Sequence, residues 1–434
     1  MNKLTRIARR GGWGISDQAL SSLTNFMVGI FVARTVGPRG FGAFGLAFAT
    51  YVVALNVARA LGPEPLVVRF SASPRAEWRR GTTAATGTAL SVGCILGLAC
   101  LVVALTTGGS VRGAFAAMAV SMPGLLLQDA WRLAFFAGGR GGRAFVNDLV
   151  WAVALIPAIG LLLALGIHSV FWLTLAWGAA ATVAGVVGLL QARLIPRPDL
   201  SLSWLREQRD LAPRFLGEFM ALSGTIQLNF FGIGAIAGLE AVGAIRAAQI
   251  LLGPPYVFSI GVRLAALPEA VRALKHSARR VGRVCVLISA GLATVTLAWG
   301  AVMLFLPTRA GVALLGETWE PAHRVLVPVT LAYAAGGVIL GASTALRALA
   351  AARHSLRARL LVSVLQLSGG VGGAVLGGVT ASAWGLAAGG AAGGFVFWWR
   401  WTKAIKEYQS AGGPDRRPDD VRTLVPEAPV VGPR

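Results

Sequence analysis

Negative charge is scarce in this sequence. Its 434 residues hold 18 aspartates and glutamates against 40 lysines and arginines, and charged residues of both signs make up only 13%. A soluble globular chain is about 25% charged, so an ordinary water-soluble domain is excluded. Histidine and cysteine are scarce too. His168, His276, His323 and His354 fall in or beside four different loops, and no His-x-x-x-His or Cys-x-x-Cys spacing occurs. That removes the usual metal and redox sites. Cys94, Cys100 and Cys285 sit within apolar runs, the first two on different sides of a helix, and read as small hydrophobes. Gly-x-Ser-x-Gly and Walker loops are absent, so neither an enzyme nor a bound cofactor is expected. Also missing is the apolar–polar alternation of a membrane β-barrel.

What the chain has instead is oil in long stretches. It is 55% hydrophobic, with a mean hydropathy of +0.67. The apolar runs last about 20 residues, enough at about 1.5 Å per residue to cross a hydrocarbon core of about 30 Å as helices. The spans are expected near Gly14–Val36, Phe41–Leu61, Ala84–Leu105, Ala114–Phe136, Phe145–Leu165 and Val170–Ala192 in the first half. In the second half they fall near Arg214–Ala237, Val242–Leu264, Val284–Leu306, Val325–Leu349, Leu360–Val379 and Ala383–Trp401. The first run carries Asp17, Asn25 and Arg34, which makes it too polar and too long for a cleavable signal peptide. The predicted fold is all-α and polytopic, with about twelve transmembrane helices.

A net charge of +22 would suggest nucleic acid in a soluble chain. Here the basic residues occupy alternate loops, such as Arg69–Arg80, Arg193–Arg209 and Arg272–Arg283. The opposite set offers little beyond Arg39, Arg112, Arg309 and Arg324. Positive charge stays on the inner side, so both termini are expected in the cytoplasm and the chain in a bacterial inner membrane, with lipid rather than nucleic acid around it. The longest outer loop, Pro307–His323, is too short for an external domain. Gly412–Arg434 is Pro-rich and charged and is expected to be disordered.

An internal repeat is visible at an offset of about 201 residues: Asp17 falls on Glu218, Gly37 on Gly238 and Gly42 on Gly243. Six spans in each half share one orientation, which predicts two pseudo-symmetric six-helix bundles. The expected division is 1–205, 206–405 and a cytoplasmic tail, 406–434. The glycines of Gly369–Gly394 lie in apolar spans and predict close helix packing rather than phosphate binding.

Polar groups inside spans cost about 2.5–3.5 kcal/mol each at a helix centre, so they mark candidate sites. Asp17 on the first span and Glu218 on the seventh are either helix-end charges or coupling groups. Asp129 and Arg132, three apart on the fourth span, form a structural pair or a gate. Asn56 and Arg59 share a face near the inner end of the second span, where Arg59 either snorkels or binds substrate. Arg246 and Gln249 share a face of the eighth span. They suit an anionic substrate rich in hydroxyls, or a pairing with an acid on a neighbouring helix.

The first hairpin reads Ala33-Arg34-Thr35-Val36-Gly37-Pro38-Arg39-Gly40-Phe41-Gly42. It resembles the turn between spans one and two of the polysaccharide flippases in the multidrug/oligosaccharidyl-lipid/polysaccharide exporter superfamily. Val67-Val68-Arg69-Phe70, Arg246-Ala247-Ala248-Gln249 and Leu267-Pro268-Glu269-Ala270 are similar to further stretches of that family. The resemblance implies a flippase for a polyisoprenyl-diphosphate-linked glycan. It implies alternating access around a cationic cavity, and glycan polymerases or glycosyltransferases as partners. Arg246, Gln249, Arg59, Asn56 and Arg132 would then be substrate-binding candidates, and Asp17, Asp129 and Glu218 coupling or gating candidates. The rivals are a multidrug exporter of the same superfamily, which should have an acid-rich cavity, a non-transporting membrane scaffold, and a membrane-embedded glycan polymerase. A major-facilitator fold should carry an acidic-basic Gly-rich motif between spans two and three, and Arg69–Arg80 lacks it.

Overall fold

The computed structural model describes residues 3–71 and 73–410. The tail expected to be disordered, 412–434, lies outside them. Every regular element among the described residues is helical. Eight helices are long and apolar enough to cross a membrane, and the bent pair Leu239–Leu251 and Gly253–Arg263 makes a ninth. Two of the eight are folded double. The helix Lys3–Leu61 breaks at Gly37 (φ 68°, ψ 175°), just before Pro38. Asp17 on one arm and Arg59 on the other both reach the same stretch of the fourth span, so the arms 3–36 and 38–61 lie antiparallel as spans one and two.

The helix Ala352–Ser410 breaks in the same manner at Gly377–Gly378. Gly369 packs on the backbone of Gly385, and Gly373 on that of Ala381, an approach that any side chain on either glycine would block. These arms are spans eleven and twelve. The third to sixth spans are Arg75–Thr106, Gly109–Ala137, Gly141–Ala164 and Val170–Ala192. The ninth and tenth are Ala278–Leu304 and Leu326–Ala348.

The seventh span is assembled from Ala212–Phe219, a π-helical turn at Met220–Gly224, and Thr225–Ala237. The eighth is not the straight helix the sequence predicts. It bends by 61° between Leu251 and Gly253, where Pro254 and Pro255 follow and remove two backbone donors. Among the described residues the chain therefore makes twelve crossings, six in each half.

The two halves repeat one another where they meet. Gly238, at φ 84° and ψ 178°, breaks the seventh from the eighth span just as Gly37 breaks the first from the second. A side chain on Gly42 would strike the Leu239 carbonyl, and one on Gly243 would strike the Pro38 carbonyl. Both glycines, and both partners, are related by the sequence offset of 201. The lobes thus cross on a pseudo-twofold axis, at the end of the molecule that is poor in arginine. There the longest of the expected outer loops folds into short helices, Thr308–Leu315 and Trp319–Arg324, and grips the first hairpin. Thr318 Oγ1 donates to the Ala33 carbonyl at 2.7 Å.

At the arginine-rich end the linker between the halves is tied to the first lobe. Trp204 Nε1 donates to the Leu61 carbonyl at 3.0 Å, and Arg69 holds Asp210 with bonds of 2.8 and 2.7 Å.

Candidate functional site

Two polar constellations lie within the spans, and the first belongs wholly to the first lobe. Arg59 and Asp129 make a two-pronged pair, Nε to Oδ2 at 2.7 Å and Nη2 to Oδ1 at 2.5 Å. One turn along the fourth span, Arg132 Nε donates to Asp17 Oδ2 at 2.6 Å and stands 3.6 Å from Asp148 Oδ2. The expected pairing of Arg132 with Asp129 along their own helix is the weakest contact of the set, at 3.9 Å. A planar guanidinium finds better geometry on a facing helix than one turn along its own.

Gln128 Nε2 donates to Asp148 Oδ1 at 2.8 Å, and Asn147 Nδ2 donates to the Ala184 carbonyl at 2.7 Å. This carries the network to spans five and six. Asp17, Asp129 and Asp148 are 0%, 4% and 3% exposed. Three carboxylates thus face two guanidiniums, which leaves one negative charge unmatched unless a proton or cation joins them. Asp17 Oδ1 and Asp148 Oδ2 are buried and accept no hydrogen bond.

These contacts assign Arg59 and Arg132 to ion pairs inside one lobe. Asn56 donates to the carbonyl of Val52, one turn back on its own helix. Removing one member of such a pair strands the other charge in an apolar interior. Arg59→Ala or Asp129→Ala is expected to lower stability by about 3 kcal/mol, and the double replacement by distinctly less. Thermal unfolding of the purified proteins reads this, and additive losses would contradict it.

The second constellation lies between the lobes. A cavity of about 740 Å³ is walled by spans one, two and eight, with Trp177 from the sixth and Tyr333 from the tenth. Arg246 and Gln249 both face it. The Arg246 guanidinium rests over the rings of Phe48, at 4.3 Å, and Phe230, at 5.5 Å, one from each lobe. No carboxylate among the described residues pairs with it, so the sequence-level alternative of a neighbouring acid is not what the structure shows.

No acidic residue among the described residues lines the cavity. Leu23, Tyr256, Val257 and Phe258 form a rim that is about half exposed. Arg246, unpaired with any acid among the described residues, the amides of Asn25 and Gln249, and several aromatic faces can hold an anionic headgroup with hydroxyls on one side and apolar chain on the other.

Glu218 joins neither constellation. It lies at the arginine-rich end, in a pocket with Arg347 and Arg359. Sequence reasoning missed Asp148, although an Asn-Asp pair inside the predicted fifth span was a visible signal. It also missed Phe48, Phe230 and Tyr333, whose roles depend on how the lobes dock.

No protein-family model and no curated protein matches the chain. Solved structures do. An inward-facing multidrug resistance MATE family transporter of the MOP superfamily aligns with a TM-score of 0.63 at 15% identity, over 89% of this chain and 96% of that one. The lipid II flippase MurJ in an inward closed conformation aligns at 0.67 and 10% identity, over 91% and 89%. This chain has the fold of the MOP superfamily transporters. A further member, from Pyrococcus furiosus, aligns at 0.55 and 14% identity over 92% and 96%, and its binding pocket is described as reversed in polarity.

Proposed function

We propose that the protein is a flippase for a lipid-linked oligosaccharide or polysaccharide intermediate, working by alternating access between lobes 1–205 and 206–405. The observation that carries this reading is Arg246, a guanidinium that among the described residues has no acid partner and stands in an interlobe cavity lined by no carboxylate. A cation sandwiched by aromatic rings and otherwise unsatisfied is suited to a phosphate oxygen, which it can hold with two bonds. The apolar rim leaves a path for a hydrocarbon chain. A cationic drug would meet a like charge in this cavity and find no countercharge there, which disfavours the multidrug reading.

The arginine-rich end is taken as cytoplasmic, by the positive-inside rule. The lobes then meet on the outer side, and the cavity is loaded from within. Asp17, Asp129 and Asp148, with one charge unmatched, form the coupling group: a proton or monovalent cation enters there and shifts the packing of the first span.

Reconstitution in liposomes tests the reading. A fluorescent polyprenyl-diphosphate sugar should equilibrate between leaflets, while a quaternary ammonium dye should not be taken up. Asp17→Asn should remove the response to an imposed ion gradient but leave gradient-free equilibration in place. Uptake of the dye without movement of the lipid would sink the flippase assignment.

A further inference from the structure

A second pocket, of about 580 Å³, opens at the arginine-rich end of the second lobe. It lies beyond the reading above and shares no residue with the central cavity. Arg347 closes the tenth span, Arg359 stands two turns into the eleventh, and both face this pocket with Ser355 between them. The Arg359 guanidinium is steadied over the Phe397 ring at 5.7 Å. Arg347 and Arg263 both act on Arg359 as like charges, so three cations crowd one corner. Glu218 also lines the pocket, yet it pairs with neither arginine among the described ion pairs. Among the described residues of the pocket lining, Glu218 is one acid against Arg347 and Arg359, which leaves the lining net positive.

The first lobe shows what this chain does with intramembrane arginines that need only structural partners: Arg59 and Arg132 are each bonded to buried aspartates. The second lobe sets Arg347, exposed at the end of the tenth span, beside the half-buried Arg359, and among the described residues neither makes an ion pair. The tight connection through Ala350, at φ 53°, folds the backbone of Ala350–Ala352 into the pocket wall. The start of the helix Ala352–Ser410 lies in that wall and adds the positive end of its dipole.

We infer that Arg347 and Arg359 form a binding site for a phosphoryl group, separate from the transport cavity. Arginine is the residue for this chemistry, because its planar fork matches two phosphate oxygens. The phosphoryl group comes either from a lipid headgroup at the membrane surface or from a soluble phosphate or diphosphate.

The test uses full-length protein carrying Arg246→Ala, so that the central cation cannot bind the probe. Titration calorimetry with inorganic diphosphate, in detergent, compares Arg347→Gln/Arg359→Gln with Arg353→Gln/Arg357→Gln. The second pair removes equal charge from exposed positions outside the pocket. Native mass spectrometry from phosphatidylcholine nanodiscs, with and without phosphatidic acid, reads lipid retention in the same proteins. The pocket variant should bind at least ~10-fold more weakly, the expected loss of charge-assisted contacts, while the surface variant changes little. Diphosphate binding that persists in phosphatidic acid nanodiscs identifies a soluble source. Phosphatidic acid retention that blocks diphosphate identifies a lipid source.

Arg347→Lys/Arg359→Lys keeps the charge and should recover part of the binding, which guards against simple misfolding. Equal losses in the two glutamine variants would reduce the site to diffuse surface charge and overturn the inference. So would the absence of both diphosphate binding and selective lipid retention. Since Arg246 is already replaced, neither outcome bears on the flippase reading.

Discussion

Replacing Arg246 by alanine is expected to cut lipid-linked glycan translocation at least ~10-fold, without lowering the amount of protein in the membrane. The expectation follows from what the side chain lacks. It has no acid to leave stranded, so its removal does not create the buried unpaired charge that makes such deletions destabilising elsewhere. The lost contact with Phe48 and Phe230 costs about 0.5–2 kcal/mol of local packing, shared by both lobes. The lost contact with a diphosphate is larger, because a hydrogen bond to a charged group contributes about 1.5–3 kcal/mol. Lysine at the same position keeps the charge but not the fork, and should restore only part of the rate. Translocation by Arg246→Ala at the parental rate, with equal abundance, would remove the residue from the site and the main support from the function. Arg59→Ala should behave in the opposite manner, with abundance and thermal stability falling first.

That contrast between two arginines, each one residue in an apolar run, explains how far the sequence could be read. Spans and the repeat were legible because they rest on local facts: run length, and glycines at matching turns. The bend in the eighth span was equally local, written as Gly253-Pro254-Pro255, and a straight reading of the run passed over it. Which arginine is paired is not local. Asp129 lies three residues from Arg132, and helical spacing alone favours that pair, yet its first partner is Arg59, on a different span.

Symmetry misleads for the same reason. Asp17 and Glu218 occupy equivalent positions in the repeat, but the first is fully buried against Arg132 and the second is exposed beside Arg347. An inherited backbone offset fixes where a residue stands. The side chains of the neighbouring spans, which have diverged between the halves, decide what it meets.

Where the halves have stayed alike, the consequence for transport is strongest. Gly42 and Gly243 let each lobe's second helix press on the other's backbone, at the Leu239 and Pro38 carbonyls. A leucine at either position cannot enter that space, and the obstacle is main chain, which cannot rotate away as a side chain would. The wedge acts on one state alone. If the lobes rock about the cavity, they separate at this crossing when the cavity faces outward, and a side chain there then costs nothing. Gly42→Leu and Gly243→Leu are therefore expected to fold, to populate the outward-open form, and to lose translocation almost entirely.

A cysteine in place of Val28, which lines the cavity in the state described here, should become reactive to an impermeant maleimide from outside in both glycine variants but not in the parent. The pseudo-twofold relation adds a stricter demand. Because the two contacts are equivalent, either single replacement should open the seal as fully as both together. A double variant that opens it much further would mean that the lobes can hinge on one contact while the other stays closed, and that the crossing is not a rigid symmetric joint.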